Sequence, residues 1–328
     1  MDRPTGPPRS GRIHIVCPNP ALDRLQVVES LVTGAVNRAH DVTSLAGGKG
    51  IIVARGVRRL GGQATIHGFA GGAIGEMIRR GCEEIGAIDR HVEIRGDTRI
   101  TAVVIESSSG ASTVINERGP TVSDDDVGAL LAGLADEVGP GDVVVCTGSL
   151  PPGAGHDLHG RAAALAGDRG ALAIVDTHGP ALAAAVEASP WMVKPNLAEL
   201  CGLLDAELSA DDLGGVVEAM ATLRRRGVPA IAVTLGAAGV LHLDDEGAVH
   251  LTSPRVQVRN ATGSGDMLLA GFVHALAAGL TPWDALRRGV AAGAANAEQV
   301  APDIDSARVV ALTDEVTARP VHAVGAKP

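Results

Sequence analysis

Short apolar runs alternate with alanine- and leucine-rich stretches from about residue 120 onward, and this alternation constrains the fold more than any other feature of the chain. The apolar runs of strand length are Val143–Cys146, Ala171–Val175, Trp191–Val193 and Ala230–Thr234. The stretches with helical patterns are 157–166, 180–187, 197–204, 211–226, 265–279 and 283–299. Strands that alternate with helices predict βαβ units and a largely parallel sheet covered by helices on both faces.

In such a sheet, ligands bind at the carboxyl ends of the strands. Polar and glycine residues follow the apolar runs at these ends, namely Thr147-Gly148-Ser149, Asp176, Lys194-Pro195-Asn196 and Thr234-Leu235-Gly236. These are the residue types that a nucleotide site needs. The sequence therefore predicts a ligand site along this edge of the sheet.

The early part of the chain departs from the alternating pattern. After a first core strand at Ile13–Cys17, extended segments with alternating apolar and polar side chains are predicted at Leu25–Glu29, Arg38–Leu45, Thr98–Glu106 and Ser112–Glu117. We predict that they form a small sheet that acts as a lid, as an oligomer interface, or as both. The predicted division is a flexible tail at 1–11, a core at 12–22, 46–91 and 119–316, a lid at 23–45 and 92–118, and a C-terminal tail at 317–328.

Composition excludes several classes of function. The net charge of −10 argues against a surface for nucleic acid or anionic membrane, although a local basic pocket for a phosphorylated small molecule remains open. With no Tyr, two Phe and two Trp, the chain lacks aromatic platforms for stacking bases. Four widely spaced cysteines without a CxxC pair, no signal-peptide pattern and no apolar run of membrane-spanning length predict a cytoplasmic protein with reduced thiols.

The tetrapeptide Gly263-Ser264-Gly265-Asp266 lies directly before an apolar run long enough to be a helix. Residues without bulk let backbone N–H groups approach an anion, and the positive end of the following helix adds to the attraction. Asp266 then lies where a proton would be accepted. The alternative is an ordinary loop in which the aspartate caps the helix.

Further glycine and charge clusters occur in order along the chain. They are Asn19–Asp23, Ala46–Gly50, Ala70–Glu76, Thr98-Arg99, Gly148–Gly153, Val193–Glu199 and Thr234–Gly239. Together with Gly263–Asp266, this ordered set resembles the PfkB branch of the ribokinase-like sugar kinases, in particular the 1-phosphofructokinase and tagatose-6-phosphate kinase group, over roughly residues 12–316. The tetrapeptide resembles that family's Gly-Ala-Gly-Asp signature, with Ser264 in place of Ala. The resemblance implies a three-layer α/β/α core with a mainly parallel sheet and a small β-sheet lid.

Phosphoryl transfer asks a protein to position an alcohol in line with a γ-phosphate and to neutralise the spreading charge. Asp266 is the predicted general base, and the amides of Gly263, Ser264 and Gly265 are predicted to hold the transferring group. The resemblance implies a sugar site at Asp23, Gly47, Gly48, Lys49, Arg99 and Ser149. Lys49 and Arg99 are typical of members whose substrate already carries phosphate.

Some of these positions have alternative interpretations. Asp23 would also suit a turn, and the Pro-Pro-Gly that follows Ser149 is also simply a rigid turn. Arg38, on the other lid segment, either reaches a neighbouring subunit's site or is a solvated surface residue. One position departs from the family pattern, because Ile52 stands where an asparagine usually hydrogen-bonds the sugar.

The resemblance also implies a nucleotide site. Its predicted residues are Lys194, Asn196, Thr234, Gly236, Gly239, Val290 and Ala294, with Glu199 acting on Mg²⁺ through water. Asn196 and Glu199 equally fit a helix-capping arrangement, which is compatible with the functional role. The small residues around Val290 and Ala294 equally fit a tightly packed helix pair. His14, His67, His178 and His274 show no metal-ligand spacing, so core or surface positions are expected for them.

The sequence thus predicts an ATP- and Mg²⁺-dependent kinase of a ketohexose phosphate, most simply one that converts fructose 1-phosphate to fructose 1,6-bisphosphate. The alternatives are a 6-phosphofructokinase or tagatose-6-phosphate kinase, then a kinase of an unphosphorylated sugar or nucleoside, then a non-catalytic sugar-phosphate sensor. Predicted partners are the sugar phosphate, ATP and a second copy of the chain through the lid. No Gly-x-Gly-x-x-Gly follows the first strand, so a dinucleotide-dependent oxidoreductase is disfavoured.

Overall fold

The computed structural model describes residues 11–322, so most of the predicted N-terminal tail and residues 323–328 lie outside the described residues. The strands are β1 Ile13–Cys17, β2 Ala21–Val28, β3 Asp41–Gly47, β4 Ala64–Ala70, β5 Ile88–Glu93, β6 Arg99–Glu106, β7 Ser112–Asn116, β8 Val143–Thr147, β9 Leu172–Asp176, β10 Met192–Val193, β11 Ala230–Thr234, β12 Val240–Asp244, β13 Gly247–Thr252 and β14 Thr317–Val321. The helices are α1 Lys49–Arg59, α2 Gly72–Glu84, α3 Asp124–Glu137, α4 Leu158–Asp168, α5 Gly179–Glu187, α6 Leu197–Leu204, α7 Leu213–Arg225, α8 Ser264–Ala277, α9 Pro282–Ala297 and α10 Ser306–Glu315.

Ten strands form the main sheet, in the spatial order β14-β13-β12-β11-β10-β9-β8-β1-β4-β5. Neighbouring strands from β11 to β5 pair in parallel, and β12, β13 and β14 extend the sheet in antiparallel fashion. The prediction of a mainly parallel α/β sheet is confirmed. The antiparallel extension was not predicted, because the alternation of strand and helix stops at β11.

Helices cover both faces of the sheet, which gives three layers. Along β8, Val143 and Val145 contribute to one apolar core with α1, α2, α8, α9 and α10. Val144 and Cys146 point to the other face, into a core with α3, α4, α5, α6 and α7. Two buried faces explain why this strand is a continuous apolar run and does not alternate with polar residues.

A separate four-stranded sheet, in the order β3-β2-β6-β7, confirms the predicted small β-sheet. The β2 and β6 strands pair in parallel, whereas β3 and β7 pair antiparallel to their neighbours. Register pairs Ala21 with both Gly47 and Arg99. The register therefore places Gly47 and Arg99, two residues of the predicted sugar site, at the same end of the small sheet.

The predicted boundaries need four corrections. The predicted changes between core and lid at 22/23 and 45/46 fall inside β2 and β3, which both belong to the small sheet. The proposed C-terminal tail from 317 is wrong for Thr317–Val321, because this segment is β14 and pairs with β13 at the edge of the main sheet. The predicted change from core to lid at 91/92 falls inside β5, which pairs with β4 as far as Glu93. In the last two cases an extended segment is recruited by the unpaired hydrogen-bonding groups of a neighbouring strand.

Two further observations concern the cysteines and the apolar character of the helices. Cys17, Cys82 and Cys146 are buried free thiols, and Cys201 is partly exposed. Among residues 11–322, no helix combines the length and the apolar character that crossing a membrane requires.

Candidate active site

A cleft of about 860 Å³ opens where β1, β8 and β9 end, between the main sheet and the small sheet. The predicted sugar-site residues Asp23, Gly48, Lys49, Arg99 and Ser149 all line it. Its lining also includes residues that were not predicted, namely Asn19, Thr101, Asn116, Glu117, Arg118, His156 and His178. The fold thus brings together side chains that are up to 126 positions apart in the predicted set, from Asp23 to Ser149.

Asp23 lies in β2, between β3 and β6, and therefore not in the turn that the alternative interpretation required. Burial raises the pKa of its carboxyl group to about 6, and the charges of Arg99 and Arg55 oppose that rise. A Cβ atom at Gly47 would lie 2.0 Å from Asp23 Oδ2. Any larger residue at 47 would therefore displace the Asp23 carboxylate.

Arg99 is the first residue of β6 and is anchored by backbone carbonyl groups. Its Nε and Nη2 donate to Asn19 O at 3.2 and 3.0 Å, and its Nη1 donates to Glu117 O at 3.2 Å. Burial lowers its pKa, although Asp23 and Glu117 act in the opposite direction. Asn19 also donates from Nδ2 to Ser149 Oγ at 3.2 Å. Asn19 therefore fixes the relative positions of Arg99 and Ser149.

Arg38 is not brought to this cleft. It is an exposed residue of the segment between β2 and β3, and it is absent from the described residues that line the cavity. A role for Arg38 in the site of its own chain is thus unsupported. Its role in a neighbouring subunit's site stays a prediction.

A buried carboxylate holds two lysines at the end of the cleft. Asp176, the last residue of β9, is 1% exposed, and its Oδ1 and Oδ2 lie 3.5 Å from Lys49 Nζ and 3.3 Å from Lys194 Nζ. Burial alone would raise the pKa of Asp176, but the two ammonium groups outweigh burial and lower it. Asp176 therefore stays ionised and positions both cations.

Asp266 belongs to the same charge cluster. It is the third residue of α8 and is 8% exposed. Burial raises its pKa to about 7, Lys49 and Lys194 oppose the rise, and Asp176 and Glu199 add to it. The N-cap of α8 is Gly263, so the alternative interpretation of Asp266 as the helix cap is wrong.

The turn before α8 is held by a side chain that the sequence did not reveal. Asn296, in α9, is 1% exposed and donates from Nδ2 to Thr262 O at 2.9 Å and to Ser264 Oγ at 3.0 Å. Gly263 has a φ of 79°, which favours glycine, and an ideal Cβ there would lie 3.8 Å from Ile52 Cγ2. The turn thus adjoins Ile52, which lines the cleft.

The predicted nucleotide residues lie along the next strand ends. Asn196 Oδ1 accepts from Glu199 N and Glu199 Oε2 accepts from Asn196 N, both at 2.8 Å, which is the capping box expected as one use of this pair. Asn196 also forms a parallel bridge with Thr234. A second cavity of about 570 Å³ is lined by Asn196 and Glu199 among others. Gly236 begins a short 3₁₀ helix, Gly236–Ala238, and Gly239 follows it.

Val290 and Ala294 are buried in α9, at 2% and 5% exposed. The neighbouring Gly289 and Gly293 lie close to α8, where added Cβ atoms would approach Leu268 O and Ser264 O to 2.7 and 3.0 Å. The small residues of this helix thus serve the tight helix pair that the alternative interpretation described. Contact of Val290 and Ala294 with adenine stays a prediction.

Comparison with known proteins identifies the family. The model of the pfkB family carbohydrate kinases matches residues 19–307, which is most of the chain. The chain belongs to the pfkB family of carbohydrate kinases. This kinase is 33% identical over 288 residues to the 1-phosphofructokinase of Bacillus subtilis, and the match covers 87% of this chain and 92% of the relative.

Two solved structures are similar to this chain over most of its length. The Escherichia coli phosphofructokinase-2 in complex with fructose-6-phosphate has a TM-score of 0.86 and 28% identity, over 93% of this chain and 99% of that one. A ribokinase of Thermotoga maritima has a TM-score of 0.76 at 18% identity, over 92% and 99% of the two chains. The second likeness shows that the kinase has a ribokinase-like fold. Membership of a kinase family disfavours the alternative of a non-catalytic sugar-phosphate sensor.

Proposed function

We propose that this kinase transfers the terminal phosphoryl group of ATP to fructose 1-phosphate and forms fructose 1,6-bisphosphate. The observation that carries the proposal is that two cationic side chains, Lys49 and Arg99, line the cleft that contains Asp23. A guanidinium and an ammonium in one cleft suit a phosphate. The Bacillus subtilis relative is a 1-phosphofructokinase, which favours fructose 1-phosphate as the acceptor. Fructose 6-phosphate or tagatose 6-phosphate is the alternative acceptor, since the same cations would bind it.

In the proposed mechanism, Asp23 accepts hydrogen bonds from sugar hydroxyl groups and Asp266 accepts the proton of the hydroxyl that attacks. A bond forms between that oxygen and the γ-phosphorus, the bond from the γ-phosphorus to the bridging oxygen breaks, and ADP leaves. The amides of Gly263, Ser264 and Gly265 would hold the transferring group at the start of α8. Asp266 suits this task because a base works best when its pKa is near the working pH.

ATP would lie along the strand ends beside these residues. Lys194 is held by Asp176 at 3.3 Å and supplies a positive charge for the phosphates. The remaining proposed contacts are Asn196, Thr234, Gly236, Gly239, Val290 and Ala294. One oxygen of Glu199 accepts from Asn196 N, which leaves the second for a water on Mg²⁺, a hard cation that prefers oxygen ligands and retains water. When bound, Mg²⁺ neutralises phosphate charge.

Substitution of Lys49 by Ala tests the substrate class. Because a hydrogen bond to a charged group contributes about 1.5 to 3 kcal/mol, we expect the kcat/KM for fructose 1-phosphate to fall about 10- to 100-fold more than the kcat/KM for fructose. Any effect of Lys49 on Asp266 lowers kcat/KM for both sugars alike. The difference between the two losses therefore reports on the substrate phosphate. Equal losses for both sugars would show that Lys49 does not bind the substrate phosphate.

The pH dependence tests the two raised carboxyl pKa values. Asp266 must be ionised to accept a proton, so log(kcat/KM) is expected to fall with a slope near one as the pH decreases below about 7. Asp23 must be ionised to accept hydrogen bonds, so the slope approaches two below about 6. The Asp23→Asn variant should retain the first limb and lose the second. A profile that stays flat down to pH 5 would contradict both assignments.

We also propose that the small sheet forms a homodimer contact. Strand register places Val42 and Ile115 on the same face of this sheet, and their side chains are 46% and 61% exposed. Burial of such an apolar patch on a second copy is favourable. Sedimentation should show a dimer for the parent chain and a shift toward monomer for Ile115→Asp, and a monomeric parent would refute the contact.

A further inference from the structure

Two buried histidines meet on the face of the sheet that packs against α3. His14, in β1, and His67, in β4, are 0% and 1% exposed. His14 Nδ1 and His67 Nε2 are 3.2 Å apart, although 53 positions separate the residues in sequence. Histidine is the commonest protein ligand of metals, so the converging pair offers two nitrogen ligands in the interior.

Two carboxylates complete this cluster. One ring nitrogen of each histidine and one carboxylate oxygen of Glu137, the last residue of α3, all lie within 4.8 Å of one another. Asp142 Oδ2 lies 3.5 Å from His14 Nε2, a buried nitrogen that has no hydrogen-bond partner. A carboxylate behind a ligating imidazole is the usual arrangement in zinc sites, where it orients the ring.

We propose that His14, His67 and Glu137 bind a Zn²⁺ ion, with Asp142 as the residue that orients His14. Nitrogens at about 2.0–2.1 Å from a tetrahedral Zn²⁺ are about 3.3 Å apart, which agrees with the 3.2 Å between His14 Nδ1 and His67 Nε2. Two histidines and one glutamate form an established zinc ligand set, with water in the fourth position.

This cluster lies apart from the catalytic cleft. His14 is the second residue of β1, and Asp142 directly precedes β8, whereas the cleft lies at the carboxyl ends of the same strands. The side chain of Glu137 is 25% exposed and pairs with the half-exposed Arg90, so an ion can enter from the surface if Arg90 moves away. A bound ion would link β1, β4 and the end of α3.

Titration of the metal-free, full-length protein with zinc chloride tests the proposal. We expect one Zn²⁺ per chain by calorimetry and elemental analysis, and a rise in Tm on adding Zn²⁺ that Mg²⁺ does not reproduce. The Glu137→Gln variant should bind at least about tenfold more weakly. Asp136→Asn is the matched control, because Asp136 is an exposed neighbour on the same helix, and it should bind as the parent does. Kinase activity checks that both variants are folded.

Cobalt provides a second readout. Co²⁺ bound in place of Zn²⁺ should give the intense visible absorption of a four-coordinate site, and Glu137→Gln should lose it. Zinc binding that is unchanged in Glu137→Gln but lost in Glu199→Gln would assign the ion to the nucleotide side and overturn the proposal. Absence of zinc binding would overturn the proposal too. The two histidines would then form only an N–H···N hydrogen bond with each other.

Discussion

Replacement of Asp266 by Asn is expected to lower kcat by about 10²- to 10⁴-fold, with a much smaller change in the KM for either substrate. The amide has nearly the same shape as the carboxylate but cannot accept the proton of the attacking hydroxyl, and general-base catalysis contributes about this factor. Steady-state kinetics with an ADP-coupled assay measure the effect. A kcat within a few-fold of the parent value would show that Asp266 is not the base.

The same variant also separates loss of chemistry from loss of fold. Burial raises the pKa of Asp266 from the ordinary value of 3.8 to about 7 in the folded chain, so the ionised carboxylate destabilises the fold at pH values above 7. As the pH decreases from 7 toward 4, the folded chain binds a proton at Asp266 more tightly than the unfolded chain does, so this loss of stability disappears. Asp266→Asn is therefore expected to be at least as stable as the parent at pH 8, as measured by urea denaturation. An unstable variant would leave the kinetic loss to be explained by unfolding.

Replacement of Asp176 by Asn is expected to lower the free energy of unfolding by about 3 to 5 kcal/mol. The change removes the carboxylate that faces Lys49 and Lys194, and Lys194 has a side chain that is only 5% exposed. A buried ammonium without a counter-charge must either stay desolvated or draw water into the site. Activity should fall as well, because both lysines lose the group that positions them.

A matched control for this prediction is Asp168→Asn. Asp168 is an exposed residue at the end of α4, and its substitution should change the unfolding free energy by less than about 0.5 kcal/mol. The double variant Asp176→Asn with Lys194→Met should recover part of the lost stability, since it removes the unpaired buried charge. A loss below about 1 kcal/mol for Asp176→Asn would show that water already solvates the lysines.

Much of the fold could be predicted from local patterns. The run Ala230–Thr234 coincides with β11, and the predicted helix at 197–204 coincides with α6, because apolar periodicity and caps specify each element locally. The β14 strand could not be predicted in this way. Its residues are largely exposed, and what makes Thr317–Val321 a strand is the free edge of β13, which is a tertiary property.

The site shows the same division. Asp23, Lys49 and Arg99 occur in recognisable clusters, and the structure brings them to one cleft. Asp176 was noted only as a polar residue at a strand end, and its pairing with two lysines depends on the packing of three elements. Asn296 gave no signal because one asparagine in an alanine-rich helix reveals nothing of the turn that it supports.

A substrate panel on the purified kinase is the most direct test of the proposed function. ADP release would be followed with ATP and Mg²⁺ against fructose 1-phosphate, fructose 6-phosphate, tagatose 6-phosphate and fructose. We predict the highest kcat/KM for fructose 1-phosphate, at least about tenfold above that for fructose, because Lys49 and Arg99 favour a phosphorylated acceptor. A kcat/KM for fructose that equals or exceeds those of all three sugar phosphates would contradict it.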